Sequence, residues 1–193
     1  MMMCPARHGI LLPCILVLCS TSFAQDEGRI MRPADLSAYA TGDIDIIAKA
    51  PAGKLELDGK PIEAEELFPD VFHTSVTAGP GEHTIAILWE DGKQEVRFFV
   101  GKNPPEEFKA FQHHPPVTGV QCTQCHGLSR RGRFRFKGGC FDCHQKEKKA
   151  FAEIHAHMEH TFVECGTCHN AHGSTAAKHL IYPREIMCKL CHN

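Results

Sequence analysis

The stretch Cys122-Thr-Gln-Cys125-His126 is one of four copies of the pentapeptide Cys-x-x-Cys-His in the last third of this chain. This pentapeptide is the attachment signature of c-type haem. Its thiols add across the haem vinyl groups, and the adjacent imidazole becomes the proximal ligand of the iron. The other three copies are Cys140-Phe-Asp-Cys143-His144, Cys165-Gly-Thr-Cys168-His169 and Cys188-Lys-Leu-Cys191-His192. The sequence therefore predicts four covalently bound haem c groups, with these eight cysteines as attachment residues and these four histidines as iron ligands.

Zinc ribbons and disulfide frameworks also use paired Cys-x-x-Cys motifs. A zinc ribbon has no use for a histidine directly after its second cysteine, because four thiolates already close the tetrahedral site. Disulfide frameworks vary the spacing of their cysteines, whereas every gap within these four motifs is the same. We therefore favour haem over both alternatives.

The first 24 residues have the composition of an export signal. An apolar run from Ile10 to Cys19 is followed by Ser22-Phe23-Ala24, a small-x-small cleavage pattern before Gln25. This arrangement is typical of a secretory signal peptide, and its apolar part is too short for a membrane span. Its removal takes away the three cysteines outside the motifs. We expect a periplasmic protein, with the cell surface or extracellular space as alternatives, and no transmembrane span in the mature chain.

Residues from about Gly42 to Gly101 alternate apolar and polar side chains with the period of half-buried β-strands. The clearest element is a hairpin, in which residues 83–90 meet the preferred turn Asp91-Gly92 and residues 93–100 return. Matching apolar faces are expected from Ile85, Ile87 and Trp89 on one strand and Val96, Phe98 and Val100 on the other. We interpret His73 and His83 as ordinary strand histidines and Trp89 as a core residue.

The stretch Gly79-Pro80-Gly81-Glu82-His83-Thr84 precedes this hairpin. With the hairpin it resembles the small immunoglobulin-like sandwiches of PEGA type. The resemblance implies a packing, docking or spacer module rather than a catalytic one.

From Phe108 to Asn193 the apolar residues are few and scattered, so this segment cannot bury an ordinary aliphatic core. We predict that the porphyrins supply the core, wrapped by short helices and loops. Residues 146–157 are the one credible helix, with Ala150, Phe151 and Ile154 at helical spacing.

The ligand opposite the proximal histidine decides what a haem does, since an open position binds substrate and two protein ligands make an electron carrier. Seven further histidines in this region compete for four such positions: His113, His114, His155, His157, His160, His172 and His179. This excess predicts mostly bis-histidine ligation and low reduction potentials.

Part of this region resembles a known family. The stretch from His160 through Cys165-Gly-Thr-Cys168-His169 to His172 is similar to the doubled motif of multihaem cytochromes c, and His114-Pro-Pro-Val-Thr-Gly-Val-Gln-Cys122 is similar to its lead-in. In that family the histidine before the motif and the one three residues after the proximal ligand commonly ligate neighbouring haems. The resemblance implies His114, His160 and His172 as distal ligands. The fourth comes from His155 or His157, of which we choose His157.

Arg130 to Lys137 alternates basic residues with Gly132, Phe134 and Phe136, as in a two-faced strand. One interpretation is a docking patch for an acidic redox partner. We favour the other, in which the cations neutralise haem propionates. A nucleic-acid partner fits an exported cytochrome poorly.

These observations predict a signal peptide (1–24), a β-sandwich module (25–103) and a tetrahaem cytochrome c domain (104–193), which is haem-packed and mostly irregular with short helices. The expected function is electron transfer between redox protein donors and acceptors, not enzymatic catalysis. The alternatives are a multihaem reductase with one five-coordinate haem and a structural subunit of a homo-oligomer, larger cytochrome complex or filament.

Overall fold

The computed structural model describes residues 28–114, 122–154 and 165–190. The predicted signal peptide (1–24) lies outside these ranges. None of the helices within them has both the length and the apolar character needed to cross a membrane.

The first described range is an all-β module built from two sheets. The four-stranded sheet has the antiparallel order β1-β3-β7-β6, and the six-stranded sheet has the order β10-β2-β9-β8-β4-β5. In the second sheet β2 runs parallel to both β9 and β10. The strands, numbered in chain order, are β1 (Arg29–Arg32), β2 (Ser37–Tyr39), β3 (Asp43–Lys49), β4 (Lys54–Leu57), β5 (Lys60–Ile62), β6 (Glu65–Phe68), β7 (Val71–Thr77), β8 (Gly81–Trp89), β9 (Gly92–Val100) and β10 (Lys109–Ala110).

Alternate residues of the central strands face a single core between the two sheets. Strand β3 buries Ile44, Ile46 and Ala48 completely, while the residues between them are partly exposed. Ile85 and Phe98 of the facing sheet are also fully buried and join the same cluster. The period-two pattern thus predicted these inward faces correctly.

In the hairpin of β8 and β9, the two predicted apolar faces match, since Ile85 pairs with Val96. Its turn is Glu90-Asp91, one residue earlier than expected, because Trp89 pairs with Gly92 across the hairpin. Trp89 is partly buried against the core, and its indole occupies the space that a Cβ at Gly92 would need. Gly92 is therefore a strand residue beside the indole rather than a turn residue.

The six-stranded sheet continues past Asn103-Pro104-Pro105, where the cysteine-free part of the predicted mature chain gives way to the cysteine-rich and histidine-rich part. The Lys109 N–H donates to the Leu36 carbonyl oxygen over 2.8 Å, and the Phe111 N–H to the Ala38 carbonyl oxygen over 2.9 Å. Phe108 and Phe111 are both buried. The polypeptide that leads into the cysteine motifs is thereby part of the sandwich until just before His113.

The remaining described residues form short elements. A two-stranded hairpin joins β11 (His126–Leu128) to β12 (Phe134–Phe136), so the predicted strand in the basic segment is present over three residues. The helices are α1 (Cys122–Cys125), α2 (Cys140–Cys143), α3 (Gln145–Ile154) and α4 (Arg184–Met187), with 3-10 turns at Cys165–Thr167, Ala177–His179 and Cys188–Leu190. Helix α3 agrees with the predicted 146–157 helix as far as Ile154, and the last three residues of that prediction lie outside the described ranges.

Buried apolar side chains are confined to one part of the described chain. They run from Ile30 to Phe111, and the described side chains of 122–149 and 165–190 add none to the core. Several large apolar residues there are exposed instead: Leu128, Phe136, Tyr182, Ile186 and Leu190. As the sequence predicted, the cysteine-rich region has no aliphatic core of its own in the part that the structure describes.

His83 of β8 is held at both ring nitrogens. Its Nδ1 donates to Asp58 Oδ2 and its Nε2 to the Gly79 carbonyl oxygen, each over 2.8 Å. Because both acceptors are oxygens, the ring in this arrangement carries both protons. Partial burial acts to lower the pKa of His83, but the bonds to Asp58 and Gly79 outweigh it and raise the pKa. These are the contacts of a structural strand histidine.

We expect the His83–Asp58 pair to stabilise the folded chain most between about pH 4 and about pH 6.5. Because the folded pKa of His83 is raised, its contribution is complete below the unfolded pKa and is lost as the pH rises through the folded value. Burial acts to raise the pKa of Asp58, but hydrogen bonds from His83 and the Thr84 N–H lower it. The contribution of the Asp58 carboxylate to stability is therefore complete above the unfolded pKa of aspartate and is lost as the pH falls through the lower folded value.

Urea unfolding followed by Trp89 fluorescence measures this effect. Between about pH 5 and about pH 8, the wild-type chain should lose more unfolding free energy than Asp58→Asn. The control Ser75→Ala changes a side chain of the other sheet, whose hydroxyl donates to Asp45 over 2.7 Å, and because it removes no titratable group it should keep the wild-type pH dependence. Equal pH dependence in wild type and Asp58→Asn would contradict the role of the pair.

Candidate functional site

Each Cys-x-x-Cys-His copy begins a helical turn in the part of the chain that the structure describes. Two are the single turns α1 and α2, and two are the 3-10 turns that start at Cys165 and Cys188. The His144 N–H donates to the Cys140 carbonyl oxygen and the His169 N–H to that of Cys165, each over 2.9 Å. Residues three apart lie on one face of such a turn, so each of the first three motifs presents its two cysteines together with the histidine next to them.

Three of the described cysteines, one from each of the first three motifs, influence one another electrostatically. Burial raises the pKa of the Cys140 thiol, and the neighbouring thiols of Cys165 and Cys125 raise it further. The thiols of Cys125 and Cys165, from the first and third motifs, are thus near enough to Cys140 of the second to affect its pKa. Seven of the described cysteines are thiols rather than disulfides: Cys122, Cys125, Cys140, Cys143, Cys165, Cys168 and Cys188.

His126 and His172 form the first histidine pair. Their ring centroids are 5.8 Å apart and their planes differ by 10°. Phe134 stacks on His126, with 4.8 Å between the ring centroids. The ring centroid of Phe134 is also 5.0 Å from that of Phe68 in the sandwich. The predicted proximal ligand of the first motif is thus beside a predicted distal ligand that lies 46 residues further along the chain.

His114 lies between two other histidines. Its ring centroid is 5.9 Å from that of His144, the predicted proximal ligand of the second motif, and 5.4 Å from that of His179. His179 was one of seven candidates and was not chosen, since no motif spacing singles it out. Its Nδ1 is buried and has no hydrogen-bond partner.

His169 shows how this chain orients a predicted ligand. Its Nδ1 lies 2.9 Å from the Lys178 carbonyl oxygen, which can only accept, so Nδ1 donates. The lone pair of the neutral ring is then on Nε2. Metal-ligating histidines commonly donate their second ring N–H to a carbonyl in this way.

Burial lowers the pKa of three of the clustered imidazoles. It lowers the pKa of His172 to about 4, assisted by His126 and then by Arg32. Burial also lowers the pKa of His126, against an opposing backbone contact with Arg135. For His114, burial and then the neighbouring His179 and His144 lower the pKa. A neutral imidazole has a free lone pair, which is the form that binds metal.

The loop that carries His172 is fastened to the sandwich. Gln112 and Ser174 exchange two backbone hydrogen bonds of 2.8 and 3.1 Å, and the buried Ser174 hydroxyl donates to the Leu180 carbonyl oxygen. Gly173 has a φ of 113°, and a Cβ there would overlap the Phe111 ring. No pattern in the sequence singled out Gln112, Gly173 or Ser174, because their role depends on a contact across about 60 residues.

Several predicted site residues lie outside the described ranges: His157, His160, Cys191 and His192. Of the predicted ligands within them, the structure brings His114 next to His144 and His172 next to His126. No three or more His, Cys, Asp or Glu side chains in 28–114, 122–154 and 165–190 are grouped to hold a metal ion. Axial ligation of a haem iron needs two side chains.

Comparison with known proteins finds no matching family model and no matching curated protein. Among solved structures, fibronectin(III)-like modules of Clostridium thermocellum CbhA are 21% identical, with a TM-score of 0.33 over 39% of this chain and 96% of theirs. An FMN-binding β-glucuronidase from Facaelibacterium prausnitzii is 16% identical, with a TM-score of 0.35 over 44% of this chain and 13% of its own. A polysaccharide lyase is 12% identical, with a TM-score of 0.31 over 40% and 12%.

None of these three is described as a cytochrome, and similarity at this level says nothing about what this chain binds.

We predict that Gly173→Ala loosens the loop that carries His172. The added methyl group would meet the Phe111 ring and the Gln112 carbonyl oxygen at a backbone angle that favours glycine, which should cost about 1–3 kcal/mol locally. Hydrogen exchange followed by mass spectrometry should be faster in peptides that contain Gln112 and Ser174.

Gly166→Ala is the matched control for this substitution. A Cβ at Gly166 meets nothing within 4 Å, so exchange in the same peptides should stay at the wild-type rate. Equal exchange rates in the two variants would show that Gly173 does not hold the loop.

Proposed function

We propose that this chain is an exported tetrahaem c-type cytochrome, which carries electrons between redox proteins along closely spaced, mostly bis-histidine haems. The observation that carries the proposal is the pairing of histidines from different motifs. His126 lies beside His172, and His144 lies beside His114. A haem iron needs such a pair to be held from both sides.

The described cysteines and histidines have the chemistry that haem c requires. In the described part, the motif cysteines named above are thiols on helical turns, and thiols are what the haem vinyl groups require. Burial lowers the pKa of His172, His126 and His114, and the Nδ1 of His169 donates to a carbonyl oxygen, which leaves its Nε2 to face a metal. Cys191, His192, His157 and His160 complete the proposed set from sequence alone.

The missing aliphatic core supports the same conclusion. A region that buries no apolar side chain among its described residues has little to offset the loss of chain entropy on folding. Its exposed apolar residues flank the motifs, with Leu128 two residues after His126 and Ile186 two residues before Cys188. Covalently held porphyrins would give these side chains an apolar surface to cover.

Electron transfer follows from what the chain's own residues do. Bound haem supplies one-electron exchange between ferric and ferrous iron. The protein's part is to attach the group, hold two imidazoles in place and keep the row compact. The ring contact of 5.8 Å between His126 of the first motif and His172, three residues after the third, supports short distances between neighbouring groups.

The location and the role of the sandwich belong to the proposal as well. The signal-peptide pattern in residues 1–24 supports export to the periplasm or beyond, where haem c is assembled. The immunoglobulin-like assignment of the module, on the PEGA-type resemblance, supports a packing or docking role. Its contacts through Phe68 and Gln112 support packing against the proposed haem region.

The mass of the mature protein tests the proposal directly. We expect the chain from Gln25 to carry four haem groups, each adding about 616 Da, together with a Soret absorbance band. The expression host must export the chain and attach haem c. A native sample without Soret absorbance, or one that contains zinc in place of iron, would overturn the proposal.

Axial ligation can be tested with His172→Ala. Loss of this ligand should leave the iron at His126 five-coordinate, so electron paramagnetic resonance should show one high-spin haem in four and small ligands should bind there. The control His73→Ala, in the sandwich, should keep four low-spin haems. One high-spin haem in the wild-type protein would instead favour the multihaem reductase.

A further inference from the structure

Arg32, at the end of β1 in the sandwich, lies beside His113, the residue before His114. Its side chain is buried, and its Nη1 lies 3.3 Å from Asp45 Oδ2. Its Nη2 lies 2.5 Å from His113 Nδ1, and its guanidinium covers the Phe111 ring at 5.5 Å from the centroid. The arginine is therefore fixed by an anion, a ring and a histidine.

In the hydrogen bond between Arg32 and His113, only the arginine can be the donor. A guanidinium has donors and no acceptor, so His113 Nδ1 must accept and must be unprotonated. The neutral ring then carries its proton on Nε2. This is the reverse of His169, whose Nδ1 donates to a carbonyl and leaves the Nε2 lone pair free.

Two aromatic rings hold the plane of the His113 imidazole. Its ring meets Phe111 edge-to-face, with 5.0 Å between centroids and planes at 87°. Tyr39 lies 6.1 Å away, also edge-on, and it stacks on Phe111 at 5.0 Å. His114, the next residue, instead contacts the rings of His144 and His179.

We infer that Arg32 is a positioning residue that decides which of two adjacent histidines binds iron. It holds His113 in the tautomer that has no lone pair on Nε2, and it thereby leaves His114 as the ligand. The inference rests on the proposed function, because it concerns the ligation of a haem. It explains from contacts a choice that the sequence made only by resemblance.

Electron paramagnetic resonance of single variants tests the assignment. His113→Ala should keep four low-spin haems, whereas His114→Ala should convert one to high spin. Both substitutions remove a histidine at neighbouring positions, so each serves as the control for the other. A high-spin haem in His113→Ala would overturn the inference.

The role of Arg32 itself needs a second set of variants. In Arg32→Met, His113 can adopt the other tautomer and compete with His114, so the low-spin signal of one haem should split into two populations. Arg32→Met combined with His113→Ala should return a single population, and Arg32→Lys, which still donates, should resemble wild type. A single unchanged signal in Arg32→Met would contradict the inference.

A direct measurement of the tautomer does not depend on these variants folding. Long-range proton–nitrogen correlation spectra of the wild-type protein, fully reduced, should show His113 with an unprotonated Nδ1 and a protonated Nε2. A proton on Nδ1 would overturn the inference. If the protein carried no haem, the proposed function would fail, and this spectrum would still test the Arg32–His113 bond.

Discussion

Burial of the Phe111 ring is the constraint on which the placement of the histidine cluster depends. The ring stacks on Tyr39, lies under the guanidinium of Arg32 and contacts His113. It also takes the space beside Gly173, so the loop that carries His172 approaches the sandwich at this point. Backbone bonds between Gln112 and Ser174 then hold the two segments together.

This arrangement gives the sandwich a part in the site. Strand β10 extends the six-stranded sheet with residues that follow the Pro104-Pro105 change in composition, so His113 and His114 leave from a rigid edge rather than from a linker. Phe134 provides a second connection, since it contacts both Phe68 of β6 and His126. A histidine site held by packed elements keeps its geometry better than one carried on loops alone.

The two parts of the chain differ in what stabilises them. The sandwich buries Ile44, Ile46, Ile85 and Phe98 between its sheets, and this burial is the ordinary driving force of folding. The described cysteine-rich residues bury no apolar side chain, although they bury the Nδ1 atoms of His126 and His179, which are costly to leave without partners. The proposed haems would supply the apolar surface that this region lacks, and their iron would give the imidazoles a ligand bond.

The sequence by itself determined the features that depend on short spacing. Alternation along β3, β8 and β9 predicted their buried faces, and the helical spacing near Ala150 predicted α3. The proposed attachment residues also come from short spacing, that of the Cys-x-x-Cys-His copies. The turn at Glu90-Asp91 differed by one residue, because the packing of Trp89 on Gly92 is not visible in a local pattern.

Only the tertiary structure decided which distant residues meet. The closeness of His126 to His172, the position of His179 beside His114 and the hold of Arg32 on His113 all join residues far apart in the chain. Spacing constrains neighbours along a strand or a turn. Contacts across a fold depend instead on how whole elements pack, here on the sheet that continues to Ala110 and on the ring of Phe111.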